Sequence, residues 1–189
     1  METILSICLG IGLAASVGFR VFLPLFVLSL AAYFGKLDLN ESWLWIGSTS
    51  AIIVLGIATL VEIIAYYFPV VDNLLDTVAI PLATLAGTAV MVSTITDLSP
   101  LITWVLAIIA GGGTAATVKS TASATRLGST VSTAGFGNPL VSTLETGTSV
   151  VMSIVSIFLP VLAIILVIFI LSIVYKLFKK LKPKKSKSS

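Results

Sequence analysis

An all-α, polytopic membrane bundle is the architecture that this 189-residue sequence predicts, on three observations. Hydrophobic residues make up 57% of the chain and charged residues 10%, whereas an average soluble domain carries about 25% charged residues. Charge-free runs cover 3–19, 21–35, 42–61, 77–96, 98–118 and 146–175, and a spanning helix needs roughly 20 apolar residues. The runs show no period-two alternation and no barrel turns, so helices must satisfy the backbone in hydrocarbon.

Each element follows from these runs. The stretch 3–34 is too long for one straight pass, and Gly18, Arg20 and Pro24 interrupt it. It predicts two shorter helices broken near residues 18–20, arranged as a re-entrant pair. The longest loop is 35–42. The runs 42–61, 77–96 and 98–118 each predict one pass. Trp43 and Trp45 open the first of these and Tyr66 and Tyr67 close its helix, in the positions of interfacial anchors. Gly135, Gly137, Asn138 and Pro139 break the chain before the last long helix, with Pro139 in its first turn. The run 146–175 contains Pro160 without other turn residues, which favours one tilted, kinked pass over two. Residues 1–175 thus form one transmembrane domain, with candidate halves 1–97 and 98–175. No basic region precedes the first run, so no cleaved signal is expected.

The charge distribution narrows the function. Seven of the eleven bases are lysines within 176–189, and the rest of the chain holds four bases against eight acids. The basic balance is therefore a tail property and gives no support to nucleic-acid binding. By the positive-inside rule this tail is cytoplasmic, where it meets anionic lipid headgroups. The absence of histidine removes Ser-His and Cys-His catalysis and histidine switching. The single Cys8 forms no internal disulfide. No cofactor is indicated, and no metal is assigned.

An internal repeat is suggested by glycines. Gly10, Gly12, Ala14, Ala15, Ser16 and Val17 recur as Gly111, Gly113, Ala115, Ala116, Thr117 and Val118. Small residues at this density let helices approach closely and can break a helix in the membrane. Paired Gly-interrupted segments in two halves point to an inverted-repeat transporter. On this reading Gly10, Gly12, Gly111 and Gly113, with Pro69 and Pro139, are the helix breaks. Small-residue packing of unbroken helices would give the same pattern.

Ionisable groups at membrane depth are costly and mark candidate sites. The acids are Glu62, Asp72, Asp76 and Glu145, and the bases Arg20, Lys119 and Arg126. Structural ion pairs and a polar pathway both account for them, with Glu62 and Asp72 also placed to reach interfacial water. Asp76 and Glu145 are expected to face the bundle interior. Residues 114–133 hold ten Ser or Thr, no acid, and Lys119 and Arg126 seven apart on one face. Such a segment could line a watery groove or hold an anion, or its hydroxyls could bond back to their own helix. Free N–H groups near Asn138 and Pro139 could face a ligand, with Glu145 below them.

Several of these residues also carry a resemblance. Gly18, Phe19 and Arg20 with Leu23, Pro24 and Leu25, then Pro69, Asp72 and Asp76, resemble the bacterial membrane family catalogued as domain of unknown function 4126. Pro81, Gly87, the 111–113 glycines, Arg126, Asn138, Pro139, Ser142 and Glu145 continue the match over most of the chain. The resemblance implies a fold and motif residues, not a mechanism. The chain departs from the family at Tyr66, Tyr67 and Phe68, where an Asp-Lys pair is usual. It departs again at Lys119 and Ala122, where a His and a Lys are usual.

The expected function is a small transporter or channel, passing an ion or small solute through a polar intramembrane site. Arg20, Glu62, Asp72, Asp76, Lys119, Arg126, Asn138 and Glu145 would form the pathway. The alternative is a non-transporting scaffold, lipid-binding or assembly protein. An enzyme is not expected. The location expected is a bacterial plasma membrane, and a homo-oligomer would be compatible with it.

Overall fold

The computed structural model describes the backbone of residues 2–181; side chains at 69, 70, 72–74, 76 and 177–181 lie outside the description. Eight α-helices follow one another: α1 (Glu2–Phe19), α2 (Phe22–Tyr33), α3 (Thr49–Ala65), α4 (Pro69–Thr94), α5 (Pro100–Leu106), α6 (Gly113–Thr133), α7 (Asn138–Phe158) and α8 (Pro160–Leu181). A 3₁₀ helix (Glu41–Gly47) precedes α3, and a π-helical stretch (Ala107–Gly112) joins α5 to α6. No strand occurs among the described residues. Among the described residues, four helical segments are long and apolar enough to cross a membrane, or five if the 3₁₀ helix and α3, bent by 66°, form one span. Their outer faces carry large apolar side chains, such as Ile57, Leu60, Ile109 and Val151, each more than half exposed. Hydrocarbon is the solvent that suits such a surface.

Helix α1 is the axis of the bundle and packs on α4, α6, α7 and α8, across both sides of the proposed division at residue 97. Its Leu9, Leu13 and Val17 join Leu28, Ala83, Val90 and Ala115 in one core cluster. Close approach is made by glycine. A Cβ on Gly87 would lie 2.5 Å from Ala115 Cβ and 2.9 Å from the Gly111 carbonyl oxygen, so α4 and the α5–α6 run pack backbone to backbone there.

The expected helix breaks need correction. Gly10 and Gly12 lie within unbroken α1, and Gly111 and Gly113 within a helical run from Pro100 to Thr133 that contains only the π turn. Gly10, Gly12 and Gly111 serve close packing, as small-residue packing predicts, whereas a Cβ on Gly113 would meet nothing within 4 Å. Pro69 and Pro139 do stand in the first turns of α4 and α7. The two glycine-rich segments meet α4 at neighbouring levels: Gly10 lies against Met91 and Thr94, and Gly111 against Gly87 and Met91.

Two passes are also reassigned. The run 146–175 is a helical hairpin turning at Leu159, where φ is −137° and ψ 63°, not one kinked span. Antiparallel packing of Met152 on Val167 and of Leu144 beside Ile170 shows the reversal. In the 3–34 stretch the break falls at Arg20 and Val21. Helix α2 returns antiparallel to α3, with Phe22 at Glu62 and Phe26 at Gly56. Between α6 and α7, Ala134 (φ 52°) and Gly135 (φ 88°) reverse the chain in the left-handed region. Residues 114–133 are helical throughout, and most of their hydroxyls bond carbonyls one turn back, as Thr117, Ser120, Thr121 and Thr125 do.

Candidate functional site

Arg20 follows α1 directly, and its side chain is wholly buried. Its Nε donates to Thr146 Oγ1 at 2.9 Å, and its Nη2 donates to the Ser142 carbonyl oxygen at 2.8 Å and the Ser142 hydroxyl at 2.5 Å. Its Nη1 makes no hydrogen bond and lies 3.7 Å from Glu145 Oε2. Glu145 is held from the other side by Arg126, whose Nε donates to Oε1 at 3.0 Å while its Nη2 donates to Oε2. Two parallel bonds of this kind are the strong geometry for a guanidinium on a carboxylate.

Tyr66 completes the cluster. Its ring centroid lies 4.3 Å from Arg20 Cζ, 4.0 Å from Arg126 Cζ and 4.9 Å from Lys119 Nζ. Lys119 Nζ also donates to the Tyr66 hydroxyl at 3.0 Å. Cation–π contacts of this kind are worth about 2 kcal/mol when water is excluded. The sequence reading made Tyr66 an interfacial anchor; it is 4% exposed and central. A visible signal existed, since Tyr66 stands where the resembled family carries a charge.

Glu62 also differs from expectation. It does not reach interfacial water but is 7% exposed and caps a helix. Its Oε1 accepts from the Val21 N–H at 2.6 Å and its Oε2 from the Phe22 N–H at 3.0 Å. Helix α2 has no side-chain cap of its own, so α3 supplies the anion that its N-terminus favours. Asn138 is buried and pairs with Thr130 across the α6–α7 turn. The N–H groups of that turn are not offered to a ligand: Gly137 donates to Thr133 Oγ1 and Asn138 to the Gly135 carbonyl oxygen. Asp72 and Asp76 lie on α4, with side chains outside the described residues. Among the described residues, no three His, Cys, Asp or Glu side chains converge as for a metal.

The cluster lies at the C-terminal ends of α1 and α3, near one end of the bundle. Helix α1 is about 27 Å long at 1.5 Å per residue, close to one hydrocarbon thickness, and Arg20 comes just after it. Val174, two residues before exposed Lys176, lines a cavity with Glu145. Two apolar cavities flank the cluster. One of about 220 Å³ reaches Glu145 between α6, α7 and α8, and one of about 320 Å³ reaches Glu62 and Tyr66 between α2, α3 and α4.

From the cluster a file of hydroxyls runs the length of α7. Ser142, Thr146, Ser149, Ser153 and Ser156 are spaced four, three, four and three residues apart, which puts them on one helix face. All but Thr146 are 0–1% exposed. Ser16 on α1 closes the seam, its Oγ 2.7 Å from Ser153 Oγ, 3.0 Å from Ser149 Oγ and 2.7 Å from the Ser149 carbonyl oxygen. Ser142 to Ser156 spans about 21 Å along the axis. Beyond it, Ile157 and Pro160 line a polar cavity of about 370 Å³ with Glu2, Lys36, Asp38 and Thr96 at the opposite end. Sequence reading missed this seam, although the serine spacing was visible within the last apolar run.

Together the fold and cluster define a polytopic helical membrane protein with a charge cluster buried near one end of its bundle. The chain belongs to the family described as Domain of unknown function (DUF4126), whose model matches residues 7–180. No curated protein and no solved structure matches it.

Proposed function

We propose that this protein is a small, non-catalytic membrane transporter or channel that moves an ion along the α1–α7 seam. The observation supporting it is the file of buried hydroxyls on one face of α7, which runs from the Arg20–Glu145 cluster toward the polar cavity at the other end. At its middle Ser16 Oγ lies within hydrogen-bond distance of both Ser149 and Ser153 Oγ, while Thr146 and Ser156 donate to backbone carbonyls one turn back, so a proton is the cargo best suited to so narrow a seam. Ser16 and Ser153 can each donate to the other, as a relay requires. Glu145, at the inner end of the file, is the acceptor at which a proton would enter or leave, with Arg126 bonded to it and Arg20 beside it. Lys176 and the following lysines put the cluster end on the cytoplasmic side of a bacterial plasma membrane, against anionic lipid.

The test is acidification of proteoliposomes carrying a pH-sensitive dye under a potassium–valinomycin potential. Flux above protein-free vesicles, abolished by Glu145→Gln in a folded, inserted variant, is expected. The rival reading, a non-transporting or lipid-binding scaffold, is favoured by one specific observation: both described buried acids are satisfied, Glu145 by Arg126 and Glu62 by two backbone N–H groups. Vesicles no leakier than the protein-free control, for protons and for small ions alike, would decide for it.

A further inference from the structure

We propose that the cavity between α6, α7 and α8 binds an amphiphile with an apolar body and an uncharged hydrogen-bond-donating end, of the class of a long-chain alcohol. This goes beyond the transport reading and does not depend on it. The cavity measures about 220 Å³, larger than the ~150 Å³ apolar cavity that admits benzene. Phe19, Val118, Ala122, Val141, Ile170 and Val174 make most of its wall.

The polar atoms in that wall are all acceptors. Thr121, Thr125 and Thr148 also line it, and each spends its hydroxyl proton on a carbonyl one turn back, at 2.9, 2.9 and 2.8 Å. What they offer the cavity is lone pairs. Glu145 forms the inner end; an ionised carboxylate has about four acceptor sites, and Arg126 takes one on each oxygen. A ligand must therefore donate.

Charge selects among donors. An ammonium at Glu145 would stand beside the guanidiniums of Arg126 and Arg20. A carboxylate or phosphate would meet Glu145 head on. An uncharged hydroxyl avoids both penalties and still gains a hydrogen bond to a charged acceptor. Access is from the side, where Thr125 and Leu144 are exposed on the outer surface, so an apolar molecule would enter from the hydrocarbon.

Photo-crosslinking in nanodiscs tests this with aliphatic-diazirine analogues of decanol, decylamine and decanoate, mapped by peptide mass spectrometry. The alcohol should label Leu144, Ile170 or Val174 saturably, be competed by plain decanol, and exceed the other two roughly tenfold, the effect of one such hydrogen bond. Ala122→Phe, which fills the cavity, should remove the labelling. If that variant fails to fold, a Thr121→Val/Thr148→Val double variant, which keeps the shape, should weaken the alcohol's labelling and leave the carboxylate's unchanged. Equal labelling by all three probes, preference for the amine or the carboxylate, or labelling indifferent to these substitutions would overturn the proposal. The readout is binding alone, so absent flux with saturable alcohol labelling would defeat the transport reading and leave this one standing.

Discussion

Two buried polar regions lie end to end in this bundle, and they are built on opposite terms. In the charge cluster, Arg20, Lys119, Arg126, Glu62, Glu145 and Tyr66 depend on one another, so removing any one leaves a buried group uncompensated. In the α1–α7 seam, Ser16, Ser149, Ser153 and Ser156 are equally buried, but each loses at most a few neutral hydrogen bonds when changed. The difference teaches that burial alone does not rank functional residues. The cluster is expensive to alter whatever it does, so loss of activity there is ambiguous. The seam is cheap to alter, so loss of activity there is informative.

The largest expected effect breaks the cluster. Glu145→Leu strands Arg126 and the already under-bonded Arg20, and should cost about 3–5 kcal/mol in thermal or SDS unfolding in detergent. An unchanged midpoint would mean the pair is not a unit. Next comes Glu62→Ala, which leaves the buried Val21 and Phe22 N–H groups without acceptors and should cost about 2 kcal/mol. Its mark is local: hydrogen exchange should rise at Val21 and Phe22 before it rises in α7. Smaller again is Tyr66→Phe, which keeps the aromatic face over the cations and removes the Lys119 bond, for about 1 kcal/mol; a loss as large as that of Tyr66→Leu would show that the hydroxyl, not the ring, organises the cluster. The smallest is Ser153→Ala, at about 0.6 kcal/mol, the average for an interhelical hydrogen bond in a membrane. A cost near that of Glu145→Leu would erase the contrast between the two regions.

How much of this was legible depended on the kind of signal. Apolar runs announced the helical membrane class and most of its spans, because length against bilayer thickness is a one-dimensional property. Glu145, Arg126, Arg20 and Lys119 were legible as candidates because charge in hydrocarbon is costly wherever it falls. Their partners were not, since Arg126 finds Glu145 only once α6 and α7 have turned back at Ala134 and Gly135. Pro160 misled because a proline without turn residues reads as a kink, yet here it begins α8 immediately after the single residue Leu159 reverses the chain. The glycines misled in the other direction. The Cβ-less surfaces of Gly10, Gly12 and Gly111 meet Thr94, Met91, Ser156, Ala163 and Gly87 on neighbouring helices, which no pattern along one helix could reveal. Glu62 was misplaced for a similar reason: the N–H groups it caps are some forty residues earlier in the chain.

The most direct test of the account is the proton flux of a Ser149→Ala/Ser153→Ala double variant, reconstituted beside wild type at equal amounts of folded protein. Both serines bond Ser16 across the seam, and their loss should lower stability by only about 1 kcal/mol. The account predicts flux reduced at least about tenfold, with the melting temperature nearly unchanged, because the file between Ser142 and Ser156 is interrupted. Wild-type flux in the double variant would contradict it, and would show that whatever crosses this bundle does not cross along α1 and α7.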